Sequence, residues 1–230
     1  FVHCSSLTTL VGKSTPKTAS RADETRRLNP EDMLGPYPLS KLLAERAVET
    51  ASSAGLDAVI ALPTEPLGPG DEALTPPTRM ILDFVRGATP AYIDCMLNFV
   101  PVRSLAAGLI AARDRGRKGE RYILGGENVR MADLLLATER ASGRARPKTR
   151  LPIAVAYAAG LIDTLVAAPL SGKAPRAPLT GVRLAARPVE FSSGKAARDL
   201  KWRADPYEPA LIETIAWMRE VGLDRRSGRD

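Results

Sequence analysis

The chain has few of the residues from which metal centres and disulfide-linked folds are built. It contains one histidine and two cysteines among 230 residues. Cys4 and Cys95 cannot form a disulfide framework or a zinc site, and one histidine excludes a metal centre with several histidine ligands. A Ser-His-Asp hydrolase would need His3 as its base, which speaks against that class of enzyme. The low cysteine count is typical of a protein in the reducing cytoplasm.

The chain also lacks the features of a natural N-terminus. It begins Phe-Val-His-Cys-Ser-Ser, with no initiator methionine and none of the basic and apolar regions of a signal peptide. An apolar run of this kind resembles the middle of a β-strand. We therefore expect that the N-terminal part of the protein is missing from this chain.

Concentrated positive charge is absent as well. There are 33 lysines and arginines against 26 aspartates and glutamates, a net charge of +7, but the cations are dispersed. Only 5% of the residues are aromatic, so few aromatic side chains accompany these cations. This pattern is typical of a solvated surface and predicts no nucleic-acid partner.

The longest apolar stretch, residues 151–170, is interrupted by Pro152, Gly160 and Asp163. We predict a buried or groove-forming helix there rather than a membrane span. Contact with a membrane surface remains an alternative, because an amphipathic surface helix needs less hydrophobicity than a span does.

The chain does have enough apolar residues, 44% of the total, to form a packed core. Apolar residues at three- and four-residue steps predict helices, and continuous apolar runs predict buried strands. The predicted strands cover residues 1–5, 56–62, 97–100, 121–124 and 189–191. The predicted helices cover residues 37–54, 77–86, 104–113, 131–141, 153–168, 180–187, 193–200 and 208–221. We interpret residues 7–34 as a long connection and 63–71 as an irregular loop.

The segment Tyr37-Pro-Leu-Ser-Lys41 carries the strongest indication of chemistry. Residues four apart lie on one face of a helix, so the Lys41 ammonium is expected beside the Tyr37 phenol. A phenol with a pKa near about 10 is a poor base at neutral pH, and a nearby cation lowers that pKa. The pair could then act as a general acid and base on a hydroxyl or carbonyl. The alternative is a surface helix with a half-buried tyrosine.

The strands on either side of this helix add to the prediction. One ends at Ser5 and Ser6, and the other ends at Pro63 and Thr64. Residues just past the carboxyl ends of parallel strands line the ligand crevice of an α/β sheet. We therefore predict that Ser6, Tyr37, Lys41 and the 63–66 loop meet at one edge, where the Ser6 hydroxyl would hydrogen-bond a substrate oxygen.

Six segments, in order along nearly the whole chain, are similar to a known family: FVHCSSLTTLVG, PYPLSKLLAER, LPTEPLGPGD, NFVPVRSLAAGLIAARDRG, GERYILGGEN and FSSGKAARDLKW. They resemble the extended short-chain dehydrogenase/reductases, or NAD-dependent epimerase/dehydratases. Within that family the chain looks most like the dihydroflavonol-reductase-like group and the hopanoid-associated sugar epimerases. The resemblance implies an α/β fold, the C-terminal part of a doubly wound, Rossmann-like parallel sheet plus a smaller, mainly helical substrate lobe. Residues 1–125 would form the partial sheet, without its first four strands, and residues 126–230 the lobe.

The resemblance also implies roles for matching residues. Ser6, Tyr37 and Lys41 fall on the family's catalytic positions, and Tyr37 and Lys41 would also contact the cofactor. The loop residues expected to border the nicotinamide of NAD or NADP are Pro63, Thr64, Glu65 and Pro66. The implied reaction couples hydride transfer at the nicotinamide to proton transfer through Tyr37. The substrate would be a sugar, a nucleotide sugar or a hydroxy or keto compound, and the family pattern allows a homodimer.

Two departures from the family stand out. The glycine-rich turn that holds the cofactor pyrophosphate is absent, and residues 68–73 match its spacing only in part. We therefore expect this chain alone to bind NAD or NADP poorly and to be inactive, and a catalytically silent binding or regulatory protein remains the alternative. Val102-Arg103-Ser104 stands where relatives commonly have valine and two aspartates, and Ser104 is expected to cap the next helix.

The remaining candidate residues are interpreted as structural. The side chains expected to be packed in the interior are His3, Cys4, Cys95, Trp202 and Trp217. The carboxylates expected to be solvated in a loop are Glu65, Asp71 and Glu72. Ser192 and Ser193 are expected to cap the helix that follows them, with a minor role at the substrate as an alternative.

Overall fold

The computed structural model describes residues 1–162 and 179–224. Its strands are β1 (Val2–Cys4), β2 (Ser20–Ala22), β3 (Val59–Pro63), β4 (Glu65–Leu67), β5 (Ala91–Tyr92), β6 (Met96–Pro101), β7 (Arg121–Leu124), β8 (Glu127–Arg130), β9 (Thr149–Arg150) and β10 (Val189–Phe191). Its helices are α1 (Pro36–Ser53), α2 (Pro76–Val85), α3 (Val102–Arg115), α4 (Met131–Ser142), α5 (Ile153–Ile162), α6 (Leu179–Ala185), α7 (Gly194–Asp199) and α8 (Tyr207–Glu220). Two short 3-10 helices lie at Leu7–Leu10 and Pro30–Asp32.

A parallel sheet in the order β1-β3-β7 holds the first part of the chain. Strand β3 is buried along its whole length, as its continuous apolar sequence predicts. Helix α1 connects β1 to β3, which confirms the predicted strand–helix–strand unit. The helix begins with two prolines in its first turn, where no backbone donor is needed, and Gly55 follows its end with φ of +121°. In the described part of the chain β1 pairs with β3 alone, so it forms an edge of this sheet.

A second, mixed sheet has the order β4-β6-β8, with β4 parallel and β8 antiparallel to β6. Strand β4 lies in the segment predicted to be an irregular loop, so that prediction is wrong. Pro66 cannot donate a backbone hydrogen bond, but β4 is an edge strand, and proline is tolerated there. Four residues of this sheet, Met96 to Phe99, pair with the strand that follows Gly126.

The segment predicted to be a long connection also contains regular structure. Strand β2 pairs in parallel with β10, from Ser20 against Val189 to Ala22 against Phe191. Because the partner lies far away in sequence, no local pattern in residues 7–34 predicts this strand. Strands β5 and β9 form a further two-stranded parallel pair.

Three hydrophobic cores hold these elements together. The first packs α2, α4 and α8 against the mixed sheet and includes Phe99, Leu134 and Ile215. The second packs α3, α7 and Trp202 against β3 and β7. The third joins the segment after β1 to β10 and includes Leu10 and Phe191. Each core combines residues from before and after residue 125, so the two predicted domains share their interior.

Several local predictions differ from the structure. Cys4 is exposed because it ends an edge strand, whereas Cys95 is buried as predicted. Helix α3 begins at Val102, so Ser104 lies inside its first turn rather than before it. The Ser104 hydroxyl donates to Asp205 Oδ2 at 2.6 Å and accepts from the Asp205 backbone N–H at 3.2 Å. It therefore joins α3 to the segment before α8.

The serines before α7 also serve different purposes. The Ser193 hydroxyl makes two hydrogen bonds with the backbone of Gly125. It accepts from the Gly125 N–H at 3.0 Å and donates to the Gly125 carbonyl at 2.8 Å. Ser192 accepts from the Gly194 N–H at 3.5 Å, which is a long capping contact. Ser193 thus stands at the N-cap but fastens α7 to the end of β7 instead of capping it, and the Ser192 hydroxyl also accepts a hydrogen bond from Arg21 at 3.2 Å.

Both tryptophans pack in the interior as predicted. Trp202 is buried and donates its indole N–H to the Ser104 carbonyl at 2.9 Å. Trp217 is partly buried against the first core. The predicted helix over 153–168 is confirmed up to Ile162, and its remainder lies outside the described residues. Among the described residues, no helix has both the length and the apolar character needed to cross a bilayer.

Candidate active site

Helix α1 places Lys41 at the carboxyl end of β1. The Lys41 ammonium donates a hydrogen bond to the Cys4 carbonyl at 3.1 Å, and its nitrogen lies 6.0 Å from the centroid of the Tyr37 ring. Tyr37 itself is 54% exposed, so its phenol is open to a ligand. The four-residue spacing on α1 therefore brings phenol and ammonium together above the end of a parallel strand, as the sequence predicts.

Ser6 follows β1 and starts the 3-10 helix at Leu7–Leu10. Its hydroxyl oxygen accepts hydrogen bonds from the Thr8 N–H at 3.2 Å and from the Thr8 hydroxyl at 3.1 Å. Both contacts use Ser6 as an acceptor, which leaves its own hydroxyl hydrogen to donate to a ligand. The side chain is buried and held in place, so the capping interaction also fixes its orientation.

A buried carboxylate that the sequence analysis missed holds this region together. Glu45 accepts from the Ser5 hydroxyl at 2.6 Å and from the Thr9 hydroxyl at 3.2 Å. Its other oxygen lies 2.7 Å from a guanidinium nitrogen of Arg121, and both side chains are almost completely buried. Glu45 comes four residues after Lys41, so the helical spacing of Tyr37, Lys41 and Glu45 was the signal available in the sequence.

Arg121 extends this network to the connection after β1. Its guanidinium donates to the carbonyl oxygens of Glu24 at 3.0 Å and Arg26 at 2.9 Å. Burial lowers the pKa of Arg121, and the charge of Glu45 opposes that effect. The pair connects α1, β7 and the β1 end, so it determines how Ser6 and Lys41 are placed relative to the sheet.

The loop after β3 contributes two buried polar groups. Thr64 donates its backbone N–H to the Leu124 carbonyl at 3.3 Å, while its hydroxyl oxygen has no hydrogen-bond partner among the described residues. Glu65 is half-buried as a residue, but its Oε2 atom is buried and also has no partner in the described part of the chain. Burial raises the pKa of Glu65 to about 8. The prediction of a solvated carboxylate at Glu65 is therefore wrong, because the Glu65 segment became a strand.

Close packing at Gly125 brings three segments against this loop. A Cβ atom at Gly125 would lie 2.8 Å from Thr64 Cγ2, 2.9 Å from Asn98 Oδ1 and 3.1 Å from Ser193 Oγ. Only glycine leaves room for these neighbours at the end of β7. Neither Gly125 nor Asn98 was among the predicted site residues, although the glycine pair directly after the buried strand β7 is visible in the sequence.

Helix α6 of the predicted substrate lobe reaches the start of α1. Gly35 has φ of +157°, and a Cβ atom there would lie 2.5 Å from the Thr180 hydroxyl oxygen. Gly35 is two residues before Tyr37, so α6 packs against the residue that precedes the first turn of α1. The Thr180 side chain and the positive φ together therefore favour glycine at this position.

Other features of the surface lie away from these residues. A cavity of about 140 Å³ is lined by Arg140, Glu208 and neighbouring side chains, and an open groove of about 460 Å³ is lined by Arg27, Lys118 and others. Neither is lined by Ser6, Tyr37 or Lys41. Within residues 1–162 and 179–224, no group of three or more His, Cys, Asp or Glu side chains could hold a metal ion.

His3 lies between the site and the core. It is half-buried, and its Nε2 atom has no partner among the described residues. Burial, helped by the positive charge of Lys41, lowers the pKa of His3. Both effects disfavour the charged imidazole, which agrees with a packed histidine rather than an acid.

Comparison with known proteins gives a consistent result. A family profile described as the NAD dependent epimerase/dehydratase family matches residues 1–125. A protein of Synechocystis sp. named dihydroflavonol 4-reductase is 34% identical over 206 residues, which are 88% of this chain and 60% of that protein. Sterol demethylase protein B of Methylococcus capsulatus is 30% identical over 188 residues, or 81% of this chain and 57% of that protein. The chain thus spans less than two thirds of either relative.

A solved structure shows the same fold. The nucleoside-diphosphate-sugar epimerase PA4631 from Pseudomonas aeruginosa matches with a TM-score of 0.76 and 24% identity, over 96% of this chain and 67% of that one. The predicted α/β class, a doubly wound sheet of this type, is confirmed. The family description names NAD, which confirms for the family the predicted cofactor class of NAD or NADP. Because the profile matches more than half of its residues, the chain belongs to the NAD dependent epimerase/dehydratase family.

Proposed function

We propose that the complete protein is an NAD(P)-dependent oxidoreductase or epimerase that acts at a hydroxyl or carbonyl carbon through Ser6, Tyr37 and Lys41. The observation that carries this proposal is the position of the Lys41 ammonium, bound to the Cys4 carbonyl and beside the Tyr37 ring. The substrate class is a sugar, a nucleotide sugar or a small hydroxy or keto compound. This chain would contribute the nicotinamide end of the site and the substrate lobe.

The residues fit a bound nicotinamide nucleotide. An ammonium has three hydrogens, and the Cys4 carbonyl uses one, so two remain for the ribose hydroxyls. The unpartnered Thr64 hydroxyl and Glu65 carboxyl lie in the loop that would border the nicotinamide. Buried polar groups without partners are costly, so a ligand that supplies hydrogen bonds there would be favoured.

The bound nucleotide would supply the hydride acceptor or donor. On oxidation, the substrate carbon gives up a hydride and its hydroxyl oxygen gives up a proton, which Tyr37 accepts as phenolate. The Lys41 ammonium lies beside the Tyr37 ring, and the Ser6 hydroxyl would donate a hydrogen bond to the substrate oxygen. On reduction, Tyr37 returns the proton to the oxygen. An epimerase would do both in one cycle, with reduction on the opposite face of the substrate carbon.

The test uses an extended chain, meaning this chain with its upstream coding sequence or, failing that, with the corresponding segment of the Synechocystis relative fused before Phe1. Tyr37→Phe should reduce turnover by roughly 10²- to 10⁴-fold, the usual contribution of a general acid or base, and should leave NAD(P) affinity nearly unchanged. The matched control is Tyr92→Phe, which removes a phenol from β5 and should not alter turnover.

Two results would contradict the proposal. Undiminished turnover in Tyr37→Phe would eliminate this tyrosine as the acid–base group. Binding of NAD(P) without turnover of any hydroxyl or carbonyl substrate, in both the unmodified and the variant protein, would favour the silent binding protein instead.

A further inference from the structure

Helix α5 turns an apolar surface toward solvent. Its sequence, Ile-Ala-Val-Ala-Tyr-Ala-Ala-Gly-Leu-Ile, contains no charged residue, and only Ala156 and Gly160 are buried. The large side chains Ile153, Val155, Leu161 and Ile162 are between 39% and 60% exposed. A surface helix of a globular protein normally has charged or polar residues on its outer face. On α5 the outer face is as apolar as the inner one.

The segment before this helix is basic. Arg144, Arg146, Lys148 and Arg150 are all exposed, and two residues separate Arg150 from the start of α5 at Ile153. The first turn of α5 contains no acidic residue. The N-terminus of α5, which is the positive end of its helix dipole, therefore follows a basic segment and has no acidic residue in its own first turn to offset the charge.

Two of these cations also have acidic neighbours. Arg146 lies 3.6 Å from Glu139, and Arg150 lies 3.2 Å from Asp94. All four of these side chains are at least partly exposed. Exposed ion pairs of this kind contribute little to stability, so a stronger anion such as a lipid phosphate can replace the carboxylates.

We propose that α5 and the basic segment 144–150, together called the α5 surface, form a docking site for an anionic lipid bilayer. The exposed aliphatic side chains of α5 enter the boundary between headgroups and acyl chains, and the cations before it bind lipid phosphates. Tyr157, half-buried on the same helix, has the amphipathic side chain that favours this interface. The exposed cations of the segment 144–150 favour an anionic bilayer over a purely apolar partner. It is independent of the proposed catalytic function.

The experiment is co-sedimentation of the extended chain with vesicles of phosphatidylcholine, with and without phosphatidylglycerol. We expect binding to the vesicles with phosphatidylglycerol, weaker binding without it, and loss of binding as salt screens the cations. The double variant Val155→Asp, Ile162→Asp should bind the vesicles at least roughly tenfold more weakly than the unmodified protein. Its matched control is Ile110→Asp, Ile212→Asp, which alters residues 53% and 56% exposed on α3 and α8 and should bind like the unmodified protein.

A second pair of changes tests the charge. Lys148→Glu with Arg150→Glu should reduce binding to the anionic vesicles and leave the weak binding to neutral vesicles unchanged. Circular dichroism of each variant checks that it is folded, and a variant that unfolds is replaced by Val155→Ser, Ile162→Ser.

Three results would overturn the proposal. The first is equal binding to neutral and anionic vesicles. The second is an equal loss of binding in the control variant. The third is a dimer, seen by light scattering without vesicles, that the α5 substitutions dissociate, because a second copy of the chain would then cover the α5 surface.

Discussion

The protonation of the Glu65 side chain depends more on its surroundings than on its being a glutamate. It has an acidic side chain in a segment rich in proline and glycine, yet its Oε2 atom is buried without a partner among the described residues. Burial disfavours the charged form of a carboxyl, so the pKa of Glu65 rises to about 8. At neutral pH the side chain is therefore mainly a neutral acid that can donate a hydrogen bond.

This raised pKa predicts a pH dependence of stability. Between the ordinary pKa of 4.5 and about 8, the unfolded chain releases the Glu65 proton while the folded chain keeps it. The contribution of Glu65 to the free energy of unfolding is therefore greatest at low pH. It decreases as pH rises through this window, by at most about 1.4 kcal/mol per pH unit. Glu65→Gln should remove this decrease.

The measurement is urea unfolding of both proteins at several pH values across that window. The difference in the free energy of unfolding between Glu65→Gln and the unmodified protein should grow as pH rises. Because other groups titrate in both proteins, only the difference is informative. A difference that stays constant with pH would show that the Glu65 carboxyl is ionised in the folded state.

At the scale of elements, the contact between α1, β1 and β7 depends on Glu45. The carboxylate is fully buried between Arg121 and the hydroxyls of Ser5 and Thr9. Its partners come from three separate elements, so the interaction holds the supports of Ser6 and Lys41 in one arrangement. Local periodicity predicts each element but not this contact. Its partners are far away in the sequence, since Ser5 lies 40 positions before Glu45 and Arg121 lies 76 positions after it.

Removing the Glu45 charge should destabilise the protein. Glu45→Gln leaves the Arg121 guanidinium buried without its counter-charge, a change that typically costs about 3–5 kcal/mol. The matched control is Glu49→Gln on the same helix, which removes the exposed ion pair with Arg27 and should cost no more than about 1 kcal/mol. Urea unfolding measures both. Equal losses in the two variants would show that the Arg121 charge is solvated.

The antiparallel pair β6–β8 depends on the glycine directly before β8, which lies against β6. A Cβ atom at Gly126 would lie 2.0 Å from the Phe99 carbonyl oxygen, which is backbone and cannot move aside. Gly126→Ala should therefore destabilise the protein by about 1–3 kcal/mol or more. In Gly181→Ala, on helix α6, the new Cβ atom meets none of the described residues within 4 Å, and alanine's helix propensity should stabilise the protein by roughly 0.5–1 kcal/mol. Thermal unfolding of both variants should therefore give shifts of opposite sign, and shifts of the same sign would contradict this account.

At the scale of the whole molecule, the chain combines a three-stranded parallel sheet with a lobe that shares its cores. Its relatives are longer, since it spans 60% of the Synechocystis protein. The family resemblance places the pyrophosphate-binding glycine turn in a segment that this sequence does not contain. The site described here would then hold the nicotinamide end of the cofactor alone.

This arrangement predicts that the 230-residue chain binds NAD or NADP weakly. Titration calorimetry should detect no binding in the micromolar range, equivalent to about −8 kcal/mol, because the sequence lacks the glycine-rich turn that the family resemblance assigns to the cofactor phosphates. The extended chain should bind in that range. Micromolar affinity in the shorter chain would show that its own residues supply a phosphate site.

The sequence alone determined the α/β order of the first part of the chain and the pairing of Tyr37 with Lys41. Both follow from local periodicity: apolar runs become buried strands, and side chains four residues apart meet on a helix. Only the tertiary structure decided that β2 pairs with β10, that β4 forms in a proline-rich segment, and that Glu45 and Glu65 are buried. These features depend on residues far apart in the chain, whose approach is set by packing rather than by any neighbour in sequence.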